Sequence, residues 1–196
     1  MNSSIEIKRK TKETDIYLRL NLNGKGMSSI DTGIPFMDHM LSLMTLHGFL
    51  NMELEAKGDI EVDYHHTVED IGICIGAGIK KALGNRVGIK RYGEATIPMD
   101  EALVRVVIDI SGRPFLSYNV KLENTFTGSF DIQLIKEFFY ALAINASITL
   151  HIDLLSGKEP HHVAEAIFKA FAKALDRAKE REVRLSNQVL STKGTL

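Results

Sequence analysis

Two stretches of this chain carry the same set of metal-seeking side chains. His65 and His66 are followed by Thr67, Val68 and Glu69, and further along His161 and His162 are followed by Val163, Ala164 and Glu165. Each set opens a segment with helical periodicity, where residues three and four apart share a face, so both histidines and the glutamate gather at one helix end. Imidazole and carboxylate together bind borderline and hard divalent cations, and a donor set without thiolate suits manganese, iron(II) or zinc. Adjacent helical residues project about 100° apart, so the two histidines of a pair cannot easily serve one ion, and each pair serves two metals. A lone histidine pair reads as a surface or satisfied-core feature; its repetition is what gives the metal reading weight.

The repetition extends beyond the histidines. ETDIYLRLNLNG from Glu13 and EALVRVVIDISG from Glu101 both start with glutamate, alternate apolar and polar residues, and reach glycine after the same interval. Each predicts a strand ending in a turn. IPFMDHMLSLM from Ile34 and QLIKEFFYALA from Gln133 predict amphipathic helices, and FLNMELEA (49–56) and SITLHIDL (147–154) predict a second strand in each copy. Helices over about 65–83 and 161–178 follow. Aligning the first helices sets His39 opposite Glu137, two polar side chains in otherwise apolar patterns, where burial without a partner would cost several kcal/mol. The candidate ligands are then His39, His65, His66, Glu69, Glu137, His161, His162 and Glu165. Two six-coordinate ions could take four of these each and keep positions open. His47 ends a helix before Gly48 and reads equally as a cap, while His151 sits in a strand and faces the core.

This order predicts an α+β fold made by internal duplication of two half-domains, each a mainly antiparallel sheet covered on one face by helices. The expected division is 1–90 for the first copy, 91–180 for the second, and a tail over 181–196 that is either frayed or folded over a site. The segments 104–110 and 115–122, separated by SGRP, predict a hairpin, and 84–98 a linker between the copies.

Composition narrows the function. With 196 residues, 44% hydrophobic and 25% charged, the chain can bury a substantial core. A formal net charge of -1 gives no footprint for nucleic acid or an anionic membrane, so any anion site must be local. The one cysteine, Cys74, lies in the apolar run IGICIGAGI and predicts a buried, unreactive thiol. The absence of a hydrophobic signal core or of an apolar run near about 18 residues gives a cytoplasmic expectation with no membrane partner.

DTGIPFMDHML, HHTVEDIGI, IPMDEALVRVVIDISGRP, TLHIDL and HHVAEAIFKAFAKAL together resemble the imidazoleglycerol-phosphate dehydratase family of histidine biosynthesis, over nearly the whole chain. The resemblance implies dehydration of imidazole glycerol phosphate to imidazole acetol phosphate, with two manganese ions per active site. It also implies a homo-oligomer of 24 subunits built from trimers, with active sites at subunit interfaces. The proton to be lost is not acidic in the enolate sense, so the metals would favour an imidazolate that expels the hydroxyl through a diazafulvene-like intermediate. By the same resemblance Glu13 is the acid/base, His47 contacts substrate and Asp100 is a lesser candidate nearby. Arg91, Arg113, Ser191, Thr192 and Lys193 grip the phosphate. Lys169, one helical turn from Glu165, joins that set. Its repeat position holds Ile73, and that of Arg113 holds Lys25, so the phosphate grip is one-sided. Many family members have histidine where this chain has Glu137, whose longer side chain can coordinate or instead support a ligand. The competing readings are a different metal-dependent lyase or hydrolase of a small phosphate ester, and a metal-storage shell. Storage would need neither Glu13 nor the phosphate set.

Overall fold

The computed structural model describes residues 4–185 and 188–196. The chain runs through β1 (Ile5–Lys10), β2 (Thr14–Asn21), β3 (Met27–Asp31), α1 (Pro35–His47), β4 (Asn51–Gly58) and α2 (His65–Leu83). It then repeats the order with β5 (Tyr92–Met99), β6 (Ala102–Asp109), β7 (Phe115–Asn119), a short β8–β9 ribbon (Phe126–Thr127 and Phe130–Asp131), α3 (Leu134–Ala146), β10 (Thr149–Ser156) and α4 (Pro160–Lys179). One sheet has the order β1-β2-β4-β3 and the other β5-β6-β10-β7, each antiparallel except for the parallel pair formed by its last two strands. The α+β duplication expected from the sequence is therefore written into the strand order itself.

Two expectations are corrected. The segment 84–98 is not a linker: from Tyr92 it is a strand that pairs along the whole of β6. The sequence there, YGEATIPM, carries a proline, Pro98, next to its end on an edge strand, where a missing N–H can face away from the ladder, so its polar look hid a strand. Nor do β6 and β7 form a hairpin. β10 lies between them, antiparallel to β6 and parallel to β7. A parallel pair needs a helical crossover, and α3 supplies it, as α1 does between β3 and β4.

Each sheet is apolar on one face only. In β2 the burial alternates, with Ile16, Leu18 and Leu20 inside and Asp15 and Arg19 outside. The inner faces carry the helices, and the helices of the two halves then meet: α2 packs along α3, and α1 against α4. Phe138, Phe139, Phe168 and Phe171 form a contiguous aromatic cluster between α3 and α4. On α2, Gly72 and Gly76 lie one turn apart on the face toward α3. A Cβ at Gly72 would stand 2.5 Å from the Phe138 carbonyl oxygen, and one at Gly76 2.5 Å from that of Leu142. These glycines set how closely the two halves approach. Cys74, on the same helix but turned to another face, is fully buried, and burial pushes its thiol up to about 11.

Two outcomes follow from this packing. Gly76→Ala should lower stability by about 1–3 kcal/mol through overpacking, although alanine is the better helix former by about 1 kcal/mol; chemical denaturation would show it, and a stabilised variant would contradict the close approach. Cys74 should resist a thiol reagent in native protein near pH 8 and react fully in denaturant. Rapid native labelling would contradict its burial.

Candidate active site

α1 and α4 bring one set of ligands together. His39 Nε2 and His161 Nε2 each lie 3.2 Å from the same oxygen, Oε1, of Glu165. Among the described residues, these are the three histidine, cysteine or acidic side chains whose ligand atoms all fall within 4.8 Å of one another. Glu165 is buried, which pushes its carboxyl pKa up, but Lys169 at 2.5 Å from Oε2 and His39 outweigh this and hold it at about 2. Two imidazole nitrogens and a carboxylate converging on one point fit a divalent cation, and neither nitrogen needs more than a small ring movement to share it. The helix start fixes this geometry: Pro160 occupies the first turn, and Glu159 caps it by accepting the His162 N–H at 2.7 Å.

The equivalent set on α2 is more open. His65 Nε2 lies 3.7 Å from Glu69, with both side chains substantially exposed. Glu137 is half-buried in the first turn of α3. Gly72, one turn beyond Glu69, touches the backbone of Phe138, so the packing brings Glu137 to the same end of α2. α1 and α3 each have 13 residues, and counted from their first residues the counterpart of His39 is Phe138; Glu137 stands one position earlier. That shift turns its side chain relative to the one at His39.

The second histidine of each pair points away from its own set. His162 Nδ1 lies 2.7 Å from Glu101 Oε2, with Asp100 at 3.7 Å from Nε2. The Glu101 contact raises the imidazole pKa and holds the Glu101 carboxyl at about 2. His66 Nδ1 is held instead by Asp59, at 3.0 and 3.2 Å, which raises its pKa. Glu13 stands 4.0 Å from that nitrogen. Asp59 was not legible as a site residue: in the sequence it is the D of a GD turn. His47, in the last turn of α1, is lowered in pKa by burial and by nearby Lys169 and Lys173, which favours its neutral form.

The expected phosphate residues gather elsewhere. Arg91 is buried, in the left-handed region at φ 72°, and donates from Nε and Nη2 to the two Asp109 oxygens at 2.6 and 3.0 Å. Its Nη1 donates to the Leu190 carbonyl at 2.6 Å, which ties the tail to β5. The tail is thus folded over this end. Arg113 lies 3.6 Å from Asp109 with its side chain mostly exposed. Arg113 and Lys193 line a cleft of about 510 Å³ together with Lys80 and Arg86. Arg86 is buried, has no ion-pair partner among the described residues, and has its pKa lowered by that burial. Sequence reading missed it, since a lone arginine in a loop has no pattern. Ser191 accepts the Lys193 N–H, and Thr192 is exposed beside it. Within one chain Lys169 lies apart from this group, at the ligand end, where it contacts Glu165 and also reaches Met99.

The two groups are far apart within one chain. The Arg91 N–H bonds the carbonyl of Ala178, and α4 rises about 20 Å from Glu165 to Ala178. β6 gives the same answer, running about 23 Å between the Glu101 end and Asp109.

Known proteins share this sequence and fold. Residues 32–175 match the family model described as imidazoleglycerol-phosphate dehydratase. An imidazoleglycerol-phosphate dehydratase of Alkaliphilus metalliredigens is 57% identical over all of both chains. The crystal structure of the Staphylococcus aureus enzyme matches with a TM-score of 0.84 at 43% identity, covering 92% of this chain and 100% of that one. A structure of the Pyrococcus furiosus enzyme matches with a TM-score of 0.84 at 37% identity, over 97% and 100%. On its sequence, its duplicated fold and these likenesses, the chain belongs to the imidazoleglycerol-phosphate dehydratase family, lyases of histidine biosynthesis.

Proposed function

We propose that this protein dehydrates imidazole glycerol phosphate to imidazole acetol phosphate with two manganese ions per active site, and that each site is completed between chains of a homo-oligomer, 24 subunits built from trimers. The observation that supports the shared site is the distance of about 20 Å along α4 between the ligand end and the Arg91 end. An imidazole ring joined to a three-carbon phosphate cannot bridge it. The ligands of one chain must then work with the phosphate cleft of another. The family's trimer-based shell is one arrangement that does this.

His39, His161 and Glu165 would hold one ion, and His65, Glu69 and Glu137 the other, with His66 and His162 turned outward as donors toward a neighbouring copy. When bound, the metals would supply Lewis acidity at the ring nitrogens and so favour loss of the ring proton. Glu13, an exposed carboxylate 4.0 Å from His66, would move the proton on the carbon next to the ring. His47, neutral, can donate or accept a hydrogen bond at the substrate chain. Arg113 and Lys193 bind the phosphate, while Arg91, already committed to Asp109 and Leu190, shapes the cleft and anchors Ser191 and Thr192.

Chelation followed by Mn2+ addition should abolish and then restore dehydration, followed by formation of imidazole acetol phosphate; full activity in rigorously chelated protein would defeat the reading. Sharing of sites is checked separately. Glu165→Ala and Arg113→Ala should each be inactive alone, yet co-expressed in mixed oligomers they should regain activity, because some sites receive both intact halves. No recovery in verified mixed oligomers would place each site within one chain.

A further inference from the structure

The two copies differ at one position that decides what their equivalent glutamates do. Glu13 comes directly before β2 and Glu101 directly before β6. Glu101 is spent on the His162 ring at 2.7 Å. Glu13 is left 4.0 Å from the matching nitrogen of His66, because Asp59 already holds it at 3.0 Å. Asp59 is the first residue after β4, and the first after β10 is Gly157, at φ 123°, where a Cβ would come within 2.7 Å of Ala102. A side chain there would be strained and crowded in the second copy, and Glu101 is the carboxylate at hydrogen-bond distance from that ring among the described residues, Asp100 and Glu159 standing 3.7 and 3.9 Å from its Nε2.

We propose that Asp59 is the positioning residue that separates the two roles: it fixes the His66 ring and thereby releases Glu13 for proton transfer. The inference rests on the proposed function, which makes His66 a metal donor and Glu13 the acid/base. Asp59 acts on both partners. Its carboxylate accepts the Nδ1–H of His66, which fixes the tautomer that offers Nε2 to a metal. Its backbone N–H donates to the Glu13 carbonyl at 3.1 Å, which pins the turn that carries Glu13. The loop over 59–64 has twice the residues of that over 157–159, and this extra length lets the chain turn back so that Asp59 meets His66.

A double-substitution cycle tests this with Mn2+ alone as the probe, free Mn2+ being read by electron paramagnetic resonance. In the unsubstituted background Glu13→Ala should leave Mn2+ affinity unchanged and lower kcat. Asp59→Gly, which gives the first copy the second copy's residue, should let Glu13 close on His66. Mn2+ affinity should then fall little, while kcat drops tenfold or more at nearly constant KM. Adding Glu13→Ala to Asp59→Gly should now cost about 10–100-fold in Mn2+ affinity, since neither residue then offers the ring an acceptor. Asp59→Asn keeps an acceptor for Nδ1–H and should retain more kcat than Asp59→Gly; it also serves as the second background should Asp59→Gly not fold. Equal effects of Glu13→Ala on affinity in both backgrounds, or full kcat in Asp59→Gly, would overturn the role of Asp59. Mn2+ uptake without dehydration by the unsubstituted protein would overturn the proposed reaction instead, and the affinity cycle would still decide the role of Asp59.

Discussion

His39 comes from the first copy and meets His161 and Glu165 from the second, and that meeting depends on how the helices of the two halves pack. α1 against α4 and α2 against α3 are contacts between copies, so the carboxylate of Glu165 gains its histidine partner only when both halves have folded together. The close approach at Gly72 and Gly76 belongs to the same seam. A half-domain alone would leave an apolar helical layer exposed and a buried-type glutamate without its cross-copy partner, a combination that is costly in both hydrophobic and electrostatic terms.

Much of the fold was legible because periodicity and repetition reinforced each other. The strands starting at Thr14 and Ala102 alternate cleanly, and the four long helices carry apolar stripes that match the buried residues of the structure. What was not legible was pairing between distant strands. β6 and β7 are close in sequence with a turn between them, but the partner of both is β10, and no local signal distinguishes a hairpin from two strands that await a third. The edge strand β5 failed for a related reason, since an edge needs only half the apolar pattern of a central strand.

The candidate site divides along the same line. Histidine and glutamate spaced on one helix could be read as a group, and His161 with Glu165 sits as that spacing implies. The residues that hold those ligands in place come from loops at the strand ends. Asp59 and Asp109 are single acidic residues in unremarkable settings, and only the three-dimensional arrangement shows one on His66 and the other gripping Arg91. Lys169 shows a limit of the same kind: helical spacing put it beside Glu165, which the structure bears out as a contact, while a role toward phosphate depends on what a neighbouring chain brings to that end.

The cleft around Arg113 has a kinetic consequence. Lys80, Arg86, Arg113 and Lys193 share it, while Arg91 is neutralised by Asp109. A protein with a net charge of only -1 thus concentrates positive potential at one mouth, and a low-dielectric wall around the buried Arg86 focuses that field outward. A phosphate dianion would be drawn in from beyond contact distance, so capture would slow as added salt shortens the reach of the field to about 8 Å at physiological ionic strength.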